Sequence, residues 1–337
     1  MKRVTIKDLA KHLLLSTSTI SRALVNDKHI HPDTKQKVLD AAEKFGYKPN
    51  PAALNLKNGQ SKNIGLVVPE MITPFTAKVL RGLQNILYPL GYRIIITESD
   101  ENHLIERKNL LLLEEFNVDG IIINLSHKSY NQDIYQQIMD RGIPLVFFDR
   151  IPDETLDASK VTVNDSLKAA LMVEHLIDSG RNKIVHLMGP SGIRNATERM
   201  LGYKNTMDKH GLFDAELLIQ SEGATFEDGR NACRQLLNKK IAFDSIFAFT
   251  DSLAIGAMNY LLEQNIKVPK DVSIASFSGT ELATQVHPQL SSVAQPLIEM
   301  GEVAAGLMLE KINDSTAVSR SVILDAKLIY RASTLLK

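Results

Sequence analysis

The chain has 337 residues, 44% hydrophobic and 23% charged, enough for two or three domains with real cores. Its single cysteine, Cys233, excludes a disulfide framework and fits a reducing cytoplasm. The formal net charge is +0, yet residues 1–62 hold twelve Lys/Arg and five Asp/Glu, so a module of net +7 is joined to a body of net −7. That split implies a polyanion contacted at one end only.

The amino terminus enters a polar helical pattern directly, without an apolar leader. Thr5-Ile6-Lys7-Asp8 is a capping box, and Ile6, Leu9, Ala10 and Leu13 give a one-sided helix. Ser16 caps a second helix whose inward face is Ile20, Ala23 and Leu24, leaving Thr17, Ser18, Ser21 and Arg22 outward. A third helix opens at His31-Pro32 and is expected to bury Val38, Leu39, Ala42 and Phe45 before Gly46 ends it. Three short helices with an outward row of small hydrogen-bonding side chains and one arginine read as a helix-turn-helix whose second helix enters the DNA major groove. Thr17 and Ser18 can meet either base type, and Arg22 suits a guanine edge. Asn50-Pro51 then starts a very short helix ended by Asn58-Gly59. A helix that short is unstable alone. It makes sense if two copies order in the minor groove, with Ala53 and Lys57 alongside and Leu56 wedged between base steps; an ordinary linker is the plainer alternative.

Beyond Lys62 the period changes. Strand-length apolar runs alternate with amphipathic helices through Ile64–Pro69, Phe75–Leu90, Arg93–Thr97, Leu104–Phe116, Gly120–Leu125, Asp133–Arg141 and Leu145–Asp149. A second such series is read from Val161–Val163 to Val272–Phe277, then a helix at Pro296–Lys311 and a strand-rich tail at Val322–Tyr330. The expected fold is therefore an N-terminal all-α helix-turn-helix headpiece (1–48), a hinge and linker (49–62), and an α/β two-lobed body of doubly wound parallel sheets (63–337). No run is long enough to span a membrane. Ligands of such sheets bind at the carboxyl ends of the strands. Phe75, Asp149, Arg150, Thr250, Asp251 and Ser278 fall there, and Arg199 opens a helix. Two arginines, two aspartates and an aromatic stacking face suit a hydroxyl-rich or anionic ligand. Plainer roles exist for several: a hinge ion pair for Asp149 and Arg150, a helix-surface charge for Arg199, an N-cap for Asp251.

Thr5-Ile6-Lys7-Asp8-Leu9-Ala10, Ser18-Thr19-Ile20-Ser21-Arg22-Ala23-Leu24, Phe45-Gly46-Tyr47-Lys48-Pro49-Asn50 and Lys62-Asn63-Ile64-Gly65-Leu66-Val67-Val68-Pro69 closely resemble the lactose-repressor (LacI/GalR) family. In the body, Gly202-Tyr203 after Arg199 and Asp251-Ser252-Leu253-Ala254-Ile255-Gly256-Ala257 extend the likeness. The resemblance implies a periplasmic-binding-protein-like body, base reading by Thr17, Ser18 and Arg22, an intercalating Leu56, and effector contact by Phe75, Arg199, Thr250 and Ser278. Thr5, Ser16, Thr19, Ser21, Asn26 and Tyr47 are expected on DNA phosphates. Three departures stand out. Leu13-Leu14-Leu15-Ser16 replaces the usual Ala-Gly-Val-Ser turn, so Leu14 takes a glycine's place at a cost of about 1 kcal/mol if φ is positive. Ser278 replaces a common aspartate, and Ala224 stands where an aromatic often stacks. The ligand therefore stays open, and could be larger or more acidic than a simple sugar.

Enzyme motifs are missing: Gly189-Pro190-Ser191-Gly192 lacks the Gly-Lys-Ser/Thr ending of a phosphate-binding loop, the nine histidines have no ligand spacing, and Cys233 reads as a packed residue. No catalytic residue, metal or cofactor is expected. The reading is a regulator, by expectation a repressor of carbohydrate or related catabolic genes. A homodimer would bind a pseudo-palindromic operator, with a small-molecule effector, a sugar or sugar derivative, between the lobes. The tail lacks a heptad extension, so the dimer is the expected assembly. A secreted sugar receptor, an α/β enzyme, or a protein partner replacing the effector are the rival readings.

Overall fold

The computed structural model describes residues 4–47, 60–126, 131–152 and 156–335. Ala53, Leu56 and Lys57 of the expected hinge helix lie outside them. The chain divides into two units, Met1–Ser61 and Lys62–Lys337.

In the first unit, α1 (Ile6–Leu13), α2 (Thr17–Leu24) and α3 (Pro32–Lys44) pack around Leu9, Ala10, Ile20, Ala23, Val38, Ala41 and Ala42. The expected caps form. The Asp8 amide donates to Thr5 Oγ1 at 3.3 Å and the Thr5 amide to Asp8 Oδ2 at 2.9 Å, and the Thr19 amide donates to Ser16 Oγ at 3.1 Å. Leu14 caps α1 with φ 54° and is 91% exposed, so the missing glycine leaves a leucine in the left-handed region without burying it. Two expectations fail on α3. Leu39 and Phe45 are exposed, and Ala41 joins Val38 and Ala42 inside. The buried stripe runs i, i+3, i+4, and Leu39 sits about 100° away from it. Phe45 lies edge-on to His12 at the rim, with ring centroids 4.6 Å apart.

The second unit holds two six-stranded sheets. The first lobe is built from β1 (Asn63–Val68), α4 (Pro74–Leu87), β2 (Arg93–Glu98), α5 (His103–Glu115), β3 (Gly120–Ile123), α6 (Gln132–Asp140), β4 (Leu145–Phe148) and β5 (Ser159–Val163). The second lobe contains α7 (Asp165–Asp178), β6 (Ile184–Met188), α8 (Arg194–Lys209), β7 (Leu218–Gln220), α9 (Phe226–Asn238), β8 (Ser245–Ala248), α10 (Asp251–Glu263), β9 (Ser273–Ser278), α11 (Leu282–Gln285) and β10 (Ser291–Ala294). The chain ends with α12 (Leu297–Asn313), β11 (Ser321–Leu324) and β12 (Lys327–Ile329).

The sheet orders are β11-β5-β4-β3-β1-β2 and β12-β10-β9-β8-β6-β7, parallel except for the edge pair β10–β12. This corrects the assignment of Val161–Val163 to the second series: β5 lies in the first sheet, between β4 and β11. It also shares out the tail, since α12 and β11 return to the first lobe while β12 joins the second. The chain therefore crosses between lobes three times, after Val163, Ala294 and Leu324. β10 went unread because Ser291-Ser292-Val293-Ala294 has no apolar run, yet it is buried through serine hydroxyls: Ser292 Oγ lies 2.9 Å from Ser276 Oγ. The return of α12 depends on close backbone approach. A Cβ on Gly82 of α4 would stand 2.0 Å from the Ile298 carbonyl, and one on Gly301 would stand 2.2 Å from the Val79 carbonyl.

Candidate functional site

In the headpiece, Thr17, Ser18 and Arg22 are exposed on one face of α2, while Thr19 and Ser21 are half-buried beside them. Turning Ile20 and Ala23 inward necessarily turns this row outward. Thr5 and Ser16 spend their hydroxyls on helix caps. Ser16 Oγ also lies 2.7 Å from Ser18 Oγ, which steadies the start of α2. Asn26 sits at φ 56°, its side-chain oxygen accepting from Lys35 Nζ at 2.9 Å, and Tyr47 packs on the small core.

Between the lobes of the body is a cavity of about 480 Å³. Its wall contains Phe75, Asp149, Arg150, Arg199, Thr250, Asp251 and Ser278, all seven residues singled out by their position at strand and helix ends. Ala224 also lines it, as does Pro190 of the glycine-containing loop. The plainer roles considered for these residues are replaced by other pairings. Asp149 and Arg150 do not bond each other. Arg150 Nη1 donates to both oxygens of Glu101, at 2.7 and 2.8 Å, and to the Leu125 carbonyl at 3.3 Å. Asp149, at φ 57°, accepts from Asn195 Nδ2 at 3.3 Å and from Gln295 Nε2 at 3.2 Å, tying the end of β4 to α8 and to the crossing after β10.

Arg199 is not a surface charge: it is 2% exposed, in the second turn of α8 rather than at its start. Its Nε donates to Asp165 Oδ1 at 2.7 Å and its Nη1 to the Phe249 carbonyl at 2.7 Å. The guanidinium carbon lies 3.7 Å from the ring centre of Phe277 and 4.6 Å from that of Phe249. Burial pushes the Asp165 carboxyl up to about 6, against the pull of Arg199.

Nor is Asp251 the cap of α10. Thr250 is, through its hydroxyl to the Leu253 amide at 3.3 Å. Asp251 follows it, buried, with Oδ1 accepting from Ser276 and Ser292 hydroxyls and Oδ2 from the Thr280 amide and hydroxyl. Its oxygens hold the wall together and have little left for a ligand. Ser278 stands at φ 107°. Asp100, Glu101, Asp149 and Ser278 thus all line the cavity in left-handed backbone, a conformation that costs of order 1–3 kcal/mol each and gathers at ligand sites.

Sequence reasoning missed the carboxylates Glu70, Glu98, Asp100, Glu101 and Glu222 and the amides Asn124, Asn195 and Gln295. Asp100 and Glu101 follow β2, so the rule about strand ends would have found them. Asn195 and Gln295 carried no signal. Among the described residues, no three His, Cys, Asp or Glu side chains gather to hold a metal ion, and no helix is long and apolar enough to cross a membrane. Cys233 is fully buried, its thiol pushed up to about 12 by burial.

The family model of bacterial regulatory proteins, lacI family, matches residues 5–50, and that of a periplasmic binding protein-like domain matches residues 173–334. The chain is similar to catabolite control protein A of Priestia megaterium, 31% identical over 335 residues, covering 98% of this chain and 99% of the relative. It is 29% identical over 330 residues to the ribose operon repressor of Halalkalibacterium halodurans, covering 98% and 97%. Among solved structures, a LacI family transcriptional regulator from Enterococcus faecium with bound ribose aligns with a TM-score of 0.73 at 27% identity, over 82% of this chain and 100% of that one. The chain belongs to the lacI family of bacterial regulatory proteins and is a DNA-binding transcription regulator.

Proposed function

We propose that the protein represses carbohydrate-related genes in the cytoplasm as a homodimer on a pseudo-palindromic operator, released or recruited by a small hydroxyl-rich effector held between the lobes. The observation that carries this is the 480 Å³ cavity, whose wall gathers residues from both lobes. A ligand touching both walls favours one lobe angle over another. Because the chain crosses between lobes three times, that angle is a property of the whole body rather than of one flexible joint. The relatives support the effector class: one is a ribose operon repressor, and one regulator is seen with bound ribose.

On DNA, Thr17, Ser18 and Arg22 face base edges, while Thr5, Ser16, Thr19, Ser21, Asn26 and Tyr47 meet phosphates. Ala53, Leu56 and Lys57 enter the minor groove between half-sites, an assignment resting on sequence alone. One headpiece presents a single eight-residue reading helix, so specificity against a genome calls for two copies in successive grooves. In the body, Phe75 supplies a stacking face, Arg150, Arg199, Thr250 and Ser278 supply donors, and Asp149 and Asp251 keep the wall in register. Coupling between effector and DNA is reciprocal, typically 1–3 kcal/mol, or about 5–150-fold in affinity. The test is selection of a bound sequence from random duplexes, followed by its affinity with and without ribose, glucose and related sugars. A preferred duplex whose affinity shifts with a sugar is the expected result. Equal binding to all duplexes overturns the proposal.

A further inference from the structure

Resting on the cavity as the effector site, we propose that its ligand is a hydroxylated molecule carrying a protonated amine, such as an amino sugar, and that anionic sugars are rejected. The two arginines in the wall had pointed to a hydroxyl-rich or anionic ligand, but neither offers an uncompensated positive charge. Arg150 is bound twice by Glu101, and Arg199 by Asp165. Among the described residues the carboxylates, by contrast, are in excess. Four come from the first lobe at one end of the cavity, Glu70, Glu98, Asp100 and Glu101, and Arg150 answers only one of them. Glu222 adds another from the second lobe, and among the described residues no lysine or histidine lines the wall. The crowding is felt within the group: burial and the neighbouring carboxylates of Glu101 and Glu98 raise the Glu70 carboxyl above its usual range.

A second, independent observation points the same way. Asn195 is 4% exposed and Gln295 7%, and both give their amide hydrogens to Asp149. Since Asp149 there only accepts, the amides are oriented, and their carbonyl oxygens, Asn195 Oδ1 and Gln295 Oε1, are left buried with no partner. Asn124 Oδ1 in the same wall is equally orphaned. Unpaired buried acceptors are costly and call for a donor. A ligand that brings hydrogen-bond donors and positive charge to this wall answers both features. A bare metal ion does not meet the need, because no ligating set converges among the described residues. An ammonium group on a polyol does both, and Phe75 can cover its apolar face.

The experiment is calorimetric titration of the full-length protein with matched series: glucosamine, glucose and glucose 6-phosphate; galactosamine, galactose and galactose 6-phosphate; and spermidine as an amine without hydroxyls. In at least one series the aminated sugar should bind tenfold or more tightly than its neutral parent, with the phosphorylated member weakest. That preference should shrink with added salt, and in the exposed-rim variant Glu98→Gln/Asp100→Asn, whose fold is checked by thermal melting. A neutral or phosphorylated sugar binding as well as the amine, or spermidine binding as well as the amino sugar, overturns this inference while leaving the cavity as an effector site. If no member of any series binds, the inference and the effector reading fall together.

Discussion

The headpiece and the cavity use arginine in opposite ways. Arg22 stands exposed on α2 among small hydroxyl side chains, its charge available to whatever approaches. Arg199 is sealed between two phenylalanine rings with Asp165 beside it, so its charge is already answered within the protein. A polyanion is met by side chains held ready in water, where the cost of desolvation falls due on binding. A small ligand is met by groups desolvated during folding, so stability and recognition become inseparable in the cavity and separable in the headpiece.

The comparison breaks most visibly under paired substitutions. Arg199→Ala should cost about 3–5 kcal/mol of stability, because Asp165 is left as an uncompensated buried charge; urea unfolding measures it, and a loss below about 1 kcal/mol would contradict the burial described. The next largest effect is acid. His186 is fully buried, stacked between Tyr203 and Phe247 with Nδ1 2.9 Å from the Phe247 carbonyl, and burial lowers its titration to about 4 from 6.5. The unfolded chain accepts a proton that the folded one refuses, so stability falls as pH drops from 6.5 towards 4, by roughly 3 kcal/mol in total. His186→Phe should flatten that dependence in denaturation curves taken between those limits, and a slope unchanged by the substitution would rule His186 out.

Arg22→Ala, in contrast, should leave the melting temperature nearly unchanged while costing about 1–3 kcal/mol of discrimination at one base pair per half-site. An altered melt with an unaltered binding-site profile would place Arg22 in the scaffold instead. The smallest effect is expected at Leu14→Gly. Relief of a left-handed leucine against the greater unfolded-state freedom of glycine should leave a net gain of about 0.5 kcal/mol, seen as a small rise in the midpoint of chemical denaturation.

Much of this was readable from the chain because the signals are local. Caps at Thr5 and Ser16, the proline opening α3, and the inward triplets of α1 and α2 need only neighbours three or four residues away. Six of the seven cavity residues were reachable by one topological rule, that parallel strands aim their carboxyl ends at the site, whereas Arg199, in the second turn of α8, lies outside it. Leu39 misled because hydrophobicity alone does not say on which side of a stripe a residue falls. β10 was hidden because its interior is served by serine hydroxyls and Asp251 instead of by apolar side chains.

What the order of residues determined by itself was the set of parts: a basic three-helix reader, alternating strands and helices, and a row of polar side chains facing out. Tertiary structure alone decided which sheet received β5 and β11, and which partner each charge would have. Arg150 found Glu101 49 residues away, and Arg199 found Asp165 34 away. Charge is additive along a chain but not in a fold, because a carboxylate brought within 3 Å of a guanidinium cancels in a dry interior what composition had counted as available.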